Sequence, residues 1–537
     1  MSIVQRIGTR LPRRGVRALL ACVLTLAPVA VTHADDYVDR VNAPLKAIAK
    51  AKRSDLVILP LLAKMAEPPA EIRSVEVSML LGKSSPAWSV VEAWAAAAPQ
   101  QAIIEGLNEV TRDEDFRTAM VFAQPYGVEG VSDQPELLSA NMFSDLGETP
   151  TLAAVKIGYL KSIEKLELLA NIESTRLIES GDPIKAIDVM FDFLYFARQM
   201  ADRPFLVEKQ WGMTAMSRSL ARIRDLTYLD SKADKHGLKA EDIRAWVKRL
   251  DPEKGYLDVH RIRLPEANLI AAEQLITRVT VKGGGTNDEF SIVMAAIAAG
   301  DRPLRLLSES AFWERVRTSH GGYFDLMDMV IGKKGDGGVR SDWARRWDLK
   351  PFDSLLRKPS DYARNTSKGS KFALLKVSLD GVDQLFDLRK TLMVELVGTH
   401  VGISIYGYAL QSRGAWPRDV TSIRPYFMDK IDTDPYSSRK NSTLEFFVPT
   451  RDRPPQGTRG EEIPFDMRVY PGGKRSNFSI KLYKDTFVLY SVGPNEANDL
   501  GNDATQDDTS VNEGDYVLWP PVISLTRKYL ADAGQQP

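Results

Sequence analysis

Apolar residues recur at helical steps over most of the chain between Asp35 and about Leu379. Leu56, Leu59, Leu62 and Met65 form one such stripe, which Pro68-Pro69 stops. The stretch from Val90 to Ala98 is alanine-rich and ends at Pro99. The clearest stripe is Leu152, Val155, Tyr159, Ile163, Leu166 and Leu169, with Lys and Glu between them, which predicts an amphipathic helix. Gly181-Asp182-Pro183 then reads as a helix stop, a capping carboxylate and a proline at the first position of the next helix. That second helix runs through Ile187, Phe191, Leu194 and Ala197, and a third spans about Phe205 to Leu229. The three predict an antiparallel helical array. It has a faint likeness to tetratricopeptide units, but no repeat of roughly 34 residues is visible.

Irregular stretches divide this array. The segment from Gln124 to Pro150 holds several Gly and Pro residues and reads as a connection. Glycine-rich loops follow between Lys282 and Asp288 and between Gly332 and Gly338. The second lacks the closing Gly-Lys-Ser/Thr of a phosphate loop. The texture changes after Leu379. One amphipathic helix, about Val382 to Ser412, precedes short β-like runs at Thr443 to Val448, Phe478 to Tyr483 and Phe487 to Tyr490. A Pro- and Gly-rich insert, Pro449 to Gly473, separates the first two runs. The expected fold is mainly α, a helical array, followed by an α+β domain of one helix and a small antiparallel sheet. The expected divisions are 1–34, 35–150, 151–380 and 381–537.

The N-terminus changes the picture of where the chain works. Arg6, Arg10, Arg13, Arg14 and Arg17 form a positive segment with no acid, Ala18 to Val31 is apolar, and Thr32-His33-Ala34 ends in a small residue before Asp35-Asp36. This predicts a cleaved secretory signal over residues 1–34 and a periplasmic or extracellular mature chain with no membrane span. The only cysteine, Cys22, lies inside the apolar run, so cleavage removes disulfides, thiolate metal sites and cysteine nucleophiles together. Leu19-Leu20-Ala21-Cys22 as a lipidation signal is the minor alternative. Cleavage leaves 66 basic against 71 acidic residues, a net charge of −5. With no basic stripe and no interleaved aromatics, this balance excludes nucleic acid as a partner.

The C-terminal motifs carry a family resemblance. A helix ends in Tyr406, followed by Gly414-Ala415-Trp416-Pro417 and an Asp434-Pro435-Tyr436 turn. The strand Phe487-Val488-Leu489-Tyr490 comes next, then Ser491-Val492-Gly493-Pro494-Asn495 and Gly501-Asn502-Asp503-Ala504. In this order the segment from about Leu388 to Trp519, a quarter of the chain, resembles the soluble portion of the major pseudopilin of type II secretion systems. The resemblance implies that the loop after the strand binds Ca2+. By position it places Asn495 and Asp503 at the ion, with Asp499 or Asn502 beside them and a carbonyl from Leu489 to Val492. A hard cation wants six to eight oxygen ligands, which an Asn/Asp-dense loop supplies. The family has Asp where Asn495 stands and a Gly-Gly pair this loop lacks, so weaker affinity is expected. Its prepilin leader is replaced by a secretory signal, so a filament subunit is not expected.

Catalytic patterns are weak. His236, His260, His320 and His400 survive signal removal, and no two share a metal-ligand spacing. His400 falls on the apolar face of the C-terminal helix, as expected of a core imidazole. Gly402-Ile403-Ser404-Ile405-Tyr406 narrowly misses a nucleophile elbow and sits mid-helix. Glu266 and Glu273, seven apart and near Arg261 and Arg263, would share a helix face; paired carboxylates can do acid–base work, but charges at this spacing are usually a solvated face. Trp88, Trp94, Trp211, Trp313, Trp343 and Trp347 read as core positions more readily than as a sugar groove. The sequence thus points to an exported, non-catalytic envelope protein with a calcium-binding, pseudopilin-like module, and to envelope or secretion-apparatus proteins as partners. A hydrolase of envelope polymers is the alternative.

Overall fold

The computed structural model describes residues 32–535, apart from 254, 284, 299–316, 318–319, 334, 336, 351–352, 368–370, 453–463, 472–476 and 506–513. The expected signal segment lies outside the described residues up to position 31. Helix α1 begins at Thr32 and ends at Lys46.

The helical array forms around the stripes read in the sequence. Helices α2 (Asp55–Leu62) and α3 (Ala98–Thr111) pack on each other, and α3 also packs on the helix Pro183–Ala201. The stripe beginning at Leu152 first makes a 3₁₀ turn, Leu152–Ala154, and a two-residue strand pair, Ser144–Asp145 (β1) with Lys156–Ile157 (β2). The helix proper, α4, starts later, at Leu160, and ends at Glu179. Gly181 adopts φ +87°, and the Asp182 carboxylate accepts the Lys185 N–H at 3.1 Å to start α5 (Pro183–Ala201). The expected stop, cap and first-position proline are all present. Helix α6 (Leu206–Lys232) folds back on α5 and is the axis of the molecule. Helix α7 (Glu266–Val279) lies against α1.

Helix α8 (Gln384–Gln411) packs along α6, so the helical array and the C-terminal region share one apolar core running from Val41 to Trp519. Beyond α8 the strands are β3 (Glu445–Phe447), β4 (Phe465–Tyr470), β5 (Phe478–Leu482), β6 (Val488–Ser491), β7 (Asp503–Thr505) and β8 (Tyr516–Trp519), and α9 (Val522–Asp532) follows. The first sheet has the order β3-β6-β8 and is antiparallel throughout. The second has the order β5-β4-β7, antiparallel between β4 and β5 and parallel between β4 and β7. The first sheet is covered on both faces. Leu489 and Trp519 join the α8 core, while Val488, Tyr490 and Val517 join a second cluster with Met467, Val469 and Leu525. This is why β6 reads as an unbroken apolar run rather than an alternating one. The architecture is mainly helical with small antiparallel and mixed sheets at the C-terminal end.

α5 and α6 carry unusual charge for buried helices. From Ala186 to Ala201 only Asp188 escapes full burial, because α3, α4 and α6 surround α5. On α6, Glu208, Lys209, Arg222, Arg224 and Asp225 are all buried. Buried charge is costly unless it is paired and hydrogen-bonded, and the two acids here are both. Glu208 accepts Arg203 Nε at 2.7 Å and both the Tyr126 and Tyr159 hydroxyls. Asp225 accepts Arg222, the Ser524 hydroxyl and both arms of Arg527, at 3.0 and 2.9 Å. Lys209 donates to the Ala201 carbonyl, and burial pushes its ammonium down to about 8. Among the described residues no helix is long and apolar enough to cross a membrane.

Candidate metal centre

The sheet beneath the Asn/Asp loop is set by a close helix–strand contact. A Cβ at Gly398 of α8 would lie 2.4 Å from both Leu518 Cδ atoms and 2.7 Å from its Cγ. A larger residue there would have to displace the Leu518 side chain that packs α8 on β8. The Asp434-Pro435-Tyr436 turn then locks onto the end of β6. The Ser491 hydroxyl donates to Asp434 Oδ1 at 2.6 Å and the Val492 N–H to Oδ2 at 3.0 Å. Burial raises the Asp434 carboxyl above its ordinary range, and these donors oppose the shift. Two motifs separated by more than fifty positions are therefore one contact in space.

The loop leaving β6 closes on itself. The Tyr490 hydroxyl donates to Asn498 Oδ1 at 2.9 Å, and the same oxygen accepts the Leu500 N–H. Asn495 donates from Nδ2 to Asp499 Oδ2 at 2.8 Å and accepts the Ala497 N–H at 2.9 Å. Asn502 Nδ2 donates to the Asp499 carbonyl at 2.8 Å. Asn495, Asp499 and Asn502 are thus gathered. Asp503 instead opens β7 in register with Arg468, on the second sheet. All four side chains are exposed. Among the described residues, no three acidic or histidine side chains converge as a metal set. Glu496 pairs with Arg357, which ties the loop back to the segment before α8.

The acid that turns inward is Asp515, one residue before β8. It is 3% exposed; Oδ2 accepts the Gly501 N–H at 2.7 Å, and Oδ1 has no hydrogen-bond partner. Burial pushes its carboxyl up to about 6; the Gly501 and Asp499 backbone N–H groups oppose the shift, and the charges of Asp499 and Glu445 add to it. A buried carboxylate oxygen without a donor, beside a second carboxylate, is costly as it stands and is what a hard cation relieves. Four residues here carry oxygens that could serve a divalent ion. Asp515 and Asp499 would supply the charge, and Asn495 and Asn502 would give up internal bonds to add oxygens. Asp515 is not legible in the sequence because it lies 20 residues beyond Asn495 and outside the Ser491–Asn495 and Gly501–Ala504 motifs. The signal that marks it is burial.

The loop's two ends meet at Gly493. Its φ is +64°, and a Cβ there would lie 1.9 Å from the Gly514 carbonyl oxygen. Gly493→Ala is expected to lower stability by more than ~1 kcal/mol, from the left-handed backbone alone, and to splay the loop from β8. A lower urea midpoint with faster amide exchange at 488–491 checks this, and a wild-type midpoint refutes it.

The other sequence candidates resolve differently. Glu273 is buried and pairs with Arg40 at 2.9 Å, whereas Glu266 is half-exposed and pairs with Arg340. The two carboxylates are held by different arginines. His400 is buried and bonds Asp432, and the Ser404 hydroxyl donates to the His400 carbonyl within the helix. Trp88, Trp94, Trp343 and Trp347 are buried and Trp211 is partly so, while Trp313 lies outside the described residues. A half-open cavity of about 620 Å³ lies between α1 and the 125–150 connection, lined in part by Asp39, Lys46, Arg53 and Asp145. Lys46 pairs with Asp39 and Arg53 with Asp55. Comparison with protein-family models, curated proteins and solved structures finds no match to this chain.

Proposed function

We propose that this chain is an exported, non-catalytic envelope protein whose C-terminal region is a pseudopilin-like module binding a divalent cation, with calcium as the ion its oxygen donors favour. The observation that carries the reading is Asp515, a buried carboxylate with one oxygen lacking any donor, turned toward the loop that holds Asp499. The long helix laid on an antiparallel sheet, with this loop between the second and third strands of that sheet, supports the pseudopilin likeness. The N-terminal Arg-rich and apolar pattern supports export. A structural or interaction role is supported by the buried ionisable groups, which are engaged in holding helices together. Partners are then envelope or secretion-apparatus proteins.

Calorimetric titration of the 35–537 chain with CaCl2 tests the cation site. Binding heat and a raised unfolding midpoint are expected, worth about 2.7 kcal/mol at a free calcium of roughly a hundred times Kd. Asp515→Ala is expected to lose both while remaining folded. No heat and no midpoint shift in the unmodified chain refutes the site. Export is tested separately by N-terminal sequencing of protein from an envelope fraction. The expected start is Asp35, and an intact Met1 refutes it.

A further inference from the structure

Asp515 and Tyr516 are consecutive at the start of β8 and reach in opposite directions. Asp515 turns to the loop, and Tyr516 crosses to α8, where its hydroxyl donates to Glu395 Oε1 at 2.6 Å. The other oxygen of Glu395 takes Nη2 of Arg224, on α6. The second arm of Arg224 bonds the Thr399 hydroxyl, which in turn donates to the Glu395 carbonyl at 2.7 Å. All four residues are buried: Tyr516 at 5%, Glu395 at 4%, Arg224 at 3% and Thr399 at 0%. In such surroundings a lost donor is felt strongly by the charge it served.

The strand holding this relay has a place to hinge. A register shift between Leu489 and Tyr490 separates the pairs Ser491↔Tyr516 and Tyr490↔Val517 from Leu489↔Trp519. The first two pairs can fray while Trp519 stays stacked on Phe487, at 4.8 Å between ring centres. Next to those two pairs lies the buried Asp515 carboxylate, whose Oδ1 has no hydrogen-bond partner.

We infer that a divalent cation held by Asp515 and Asp499 is felt in the helical array through the buried relay Asp515–Tyr516–Glu395–Arg224. The inference rests on the cation reading above and goes beyond it: the ion sets the state of α6 as well as its own loop. With the cation bound, Asp515 is neutralised, the first pairs of β8 close, and Tyr516 keeps its bond to Glu395. Without it those pairs open, Tyr516 withdraws, and the Glu395–Arg224 pair between α8 and α6 loosens. Coupling of distant sites requires two such arrangements, of which the structure holds the closed one.

Amide hydrogen exchange on the 35–537 chain, in EGTA and in saturating CaCl2, tests this, with Tyr516→Phe as the uncoupling variant. In the unmodified chain calcium should slow exchange about fivefold or more, the lower end of ordinary allosteric coupling. The slowing should cover residues 220–228 of α6 and 392–399 of α8 as well as the loop, and spare α4 and α5. Tyr516→Phe should keep the calcium heat and the slowing at 493–501 and lose it at 220–228 and 392–399. Slowing confined to the loop and β6–β8, or spread evenly through α4 and α5, overturns the relay while leaving the cation site standing. Absence of calcium heat overturns both.

Discussion

Asp225→Ala should destabilise the protein by about 3–5 kcal/mol, because it leaves two arginines facing a buried position with no carboxylate. Arg222 is fully buried and Arg527 a quarter exposed, and both direct their charge at Asp225. The same carboxylate anchors Ser524, so it fixes α9 to α6, and Arg527 extends the tie to the Met79 carbonyl at 2.7 Å. Loss of the site should therefore free the C-terminal helix first. Urea unfolding gives the energy, and limited proteolysis within 522–532 gives the location. A midpoint within experimental error of the unmodified chain refutes the prediction. Burial by itself would raise the Asp225 carboxyl, but the charges of Arg527 and Arg222 hold it below the usual carboxylate range. A folded value below the unfolded one, roughly 3.9, means the stabilisation is present above that pH and is lost as pH falls through the folded value. The gap between variant and unmodified chain should stay constant from neutral pH down to about 5 and close only in stronger acid.

Glu208→Ala is the second large effect, again about 3–5 kcal/mol. Its carboxylate is 0% exposed and serves three donors from three parts of the chain: Arg203, Tyr126 and Tyr159. Arg203, itself 1% exposed, also braces the 122–126 segment through the Gln124 carbonyl at 2.9 Å and lies 4.4 Å over the Tyr126 ring. Removing Glu208 strands that guanidinium in the core. Glu208→Gln keeps an acceptor for the two hydroxyls but not the charge, so a smaller loss is expected. As a contrast, Asp39→Ala breaks a pair whose members are 54% and 70% exposed and should cost no more than about 0.5 kcal/mol. Equal effects for Asp39 and Glu208 would refute the account of the buried network.

The sequence reads best where one helix face or one strand face decides the outcome. The turn at Gly181-Asp182-Pro183 is local chemistry, and the structure keeps each part of it. The expected helix from Val382 to Ser412 is found from Gln384 to Gln411, and the run Phe487 to Tyr490 becomes β6, shifted by one residue. Strand β4 was hidden. Phe465, Met467 and Val469 alternate with Asp466 and Arg468 as a strand should, and Met467 and Val469 are buried. The surrounding Pro and Gly residues made the whole stretch look irregular. Of the candidate site, Asn495, Asp499 and Asn502 were legible as a polar loop, whereas Asp503 belongs to a different sheet.

By itself, then, the sequence determined the main helices of the array, the cap at Asp182, the switch to strands after α8 and the position of the acidic loop. These follow from side-chain periodicity and from backbone preferences within a few residues. Only the tertiary structure decided which charges are inside. Glu208, Arg222, Arg224 and Asp225 look like the solvated face of a helix, yet they form its interior contacts, because their partners arrive from residues as distant as Arg527. Asp515 is the same case in miniature. A carboxylate's environment is set by what folds over it, and nothing within a few residues of Asp515 records that Gly501 comes back to meet it.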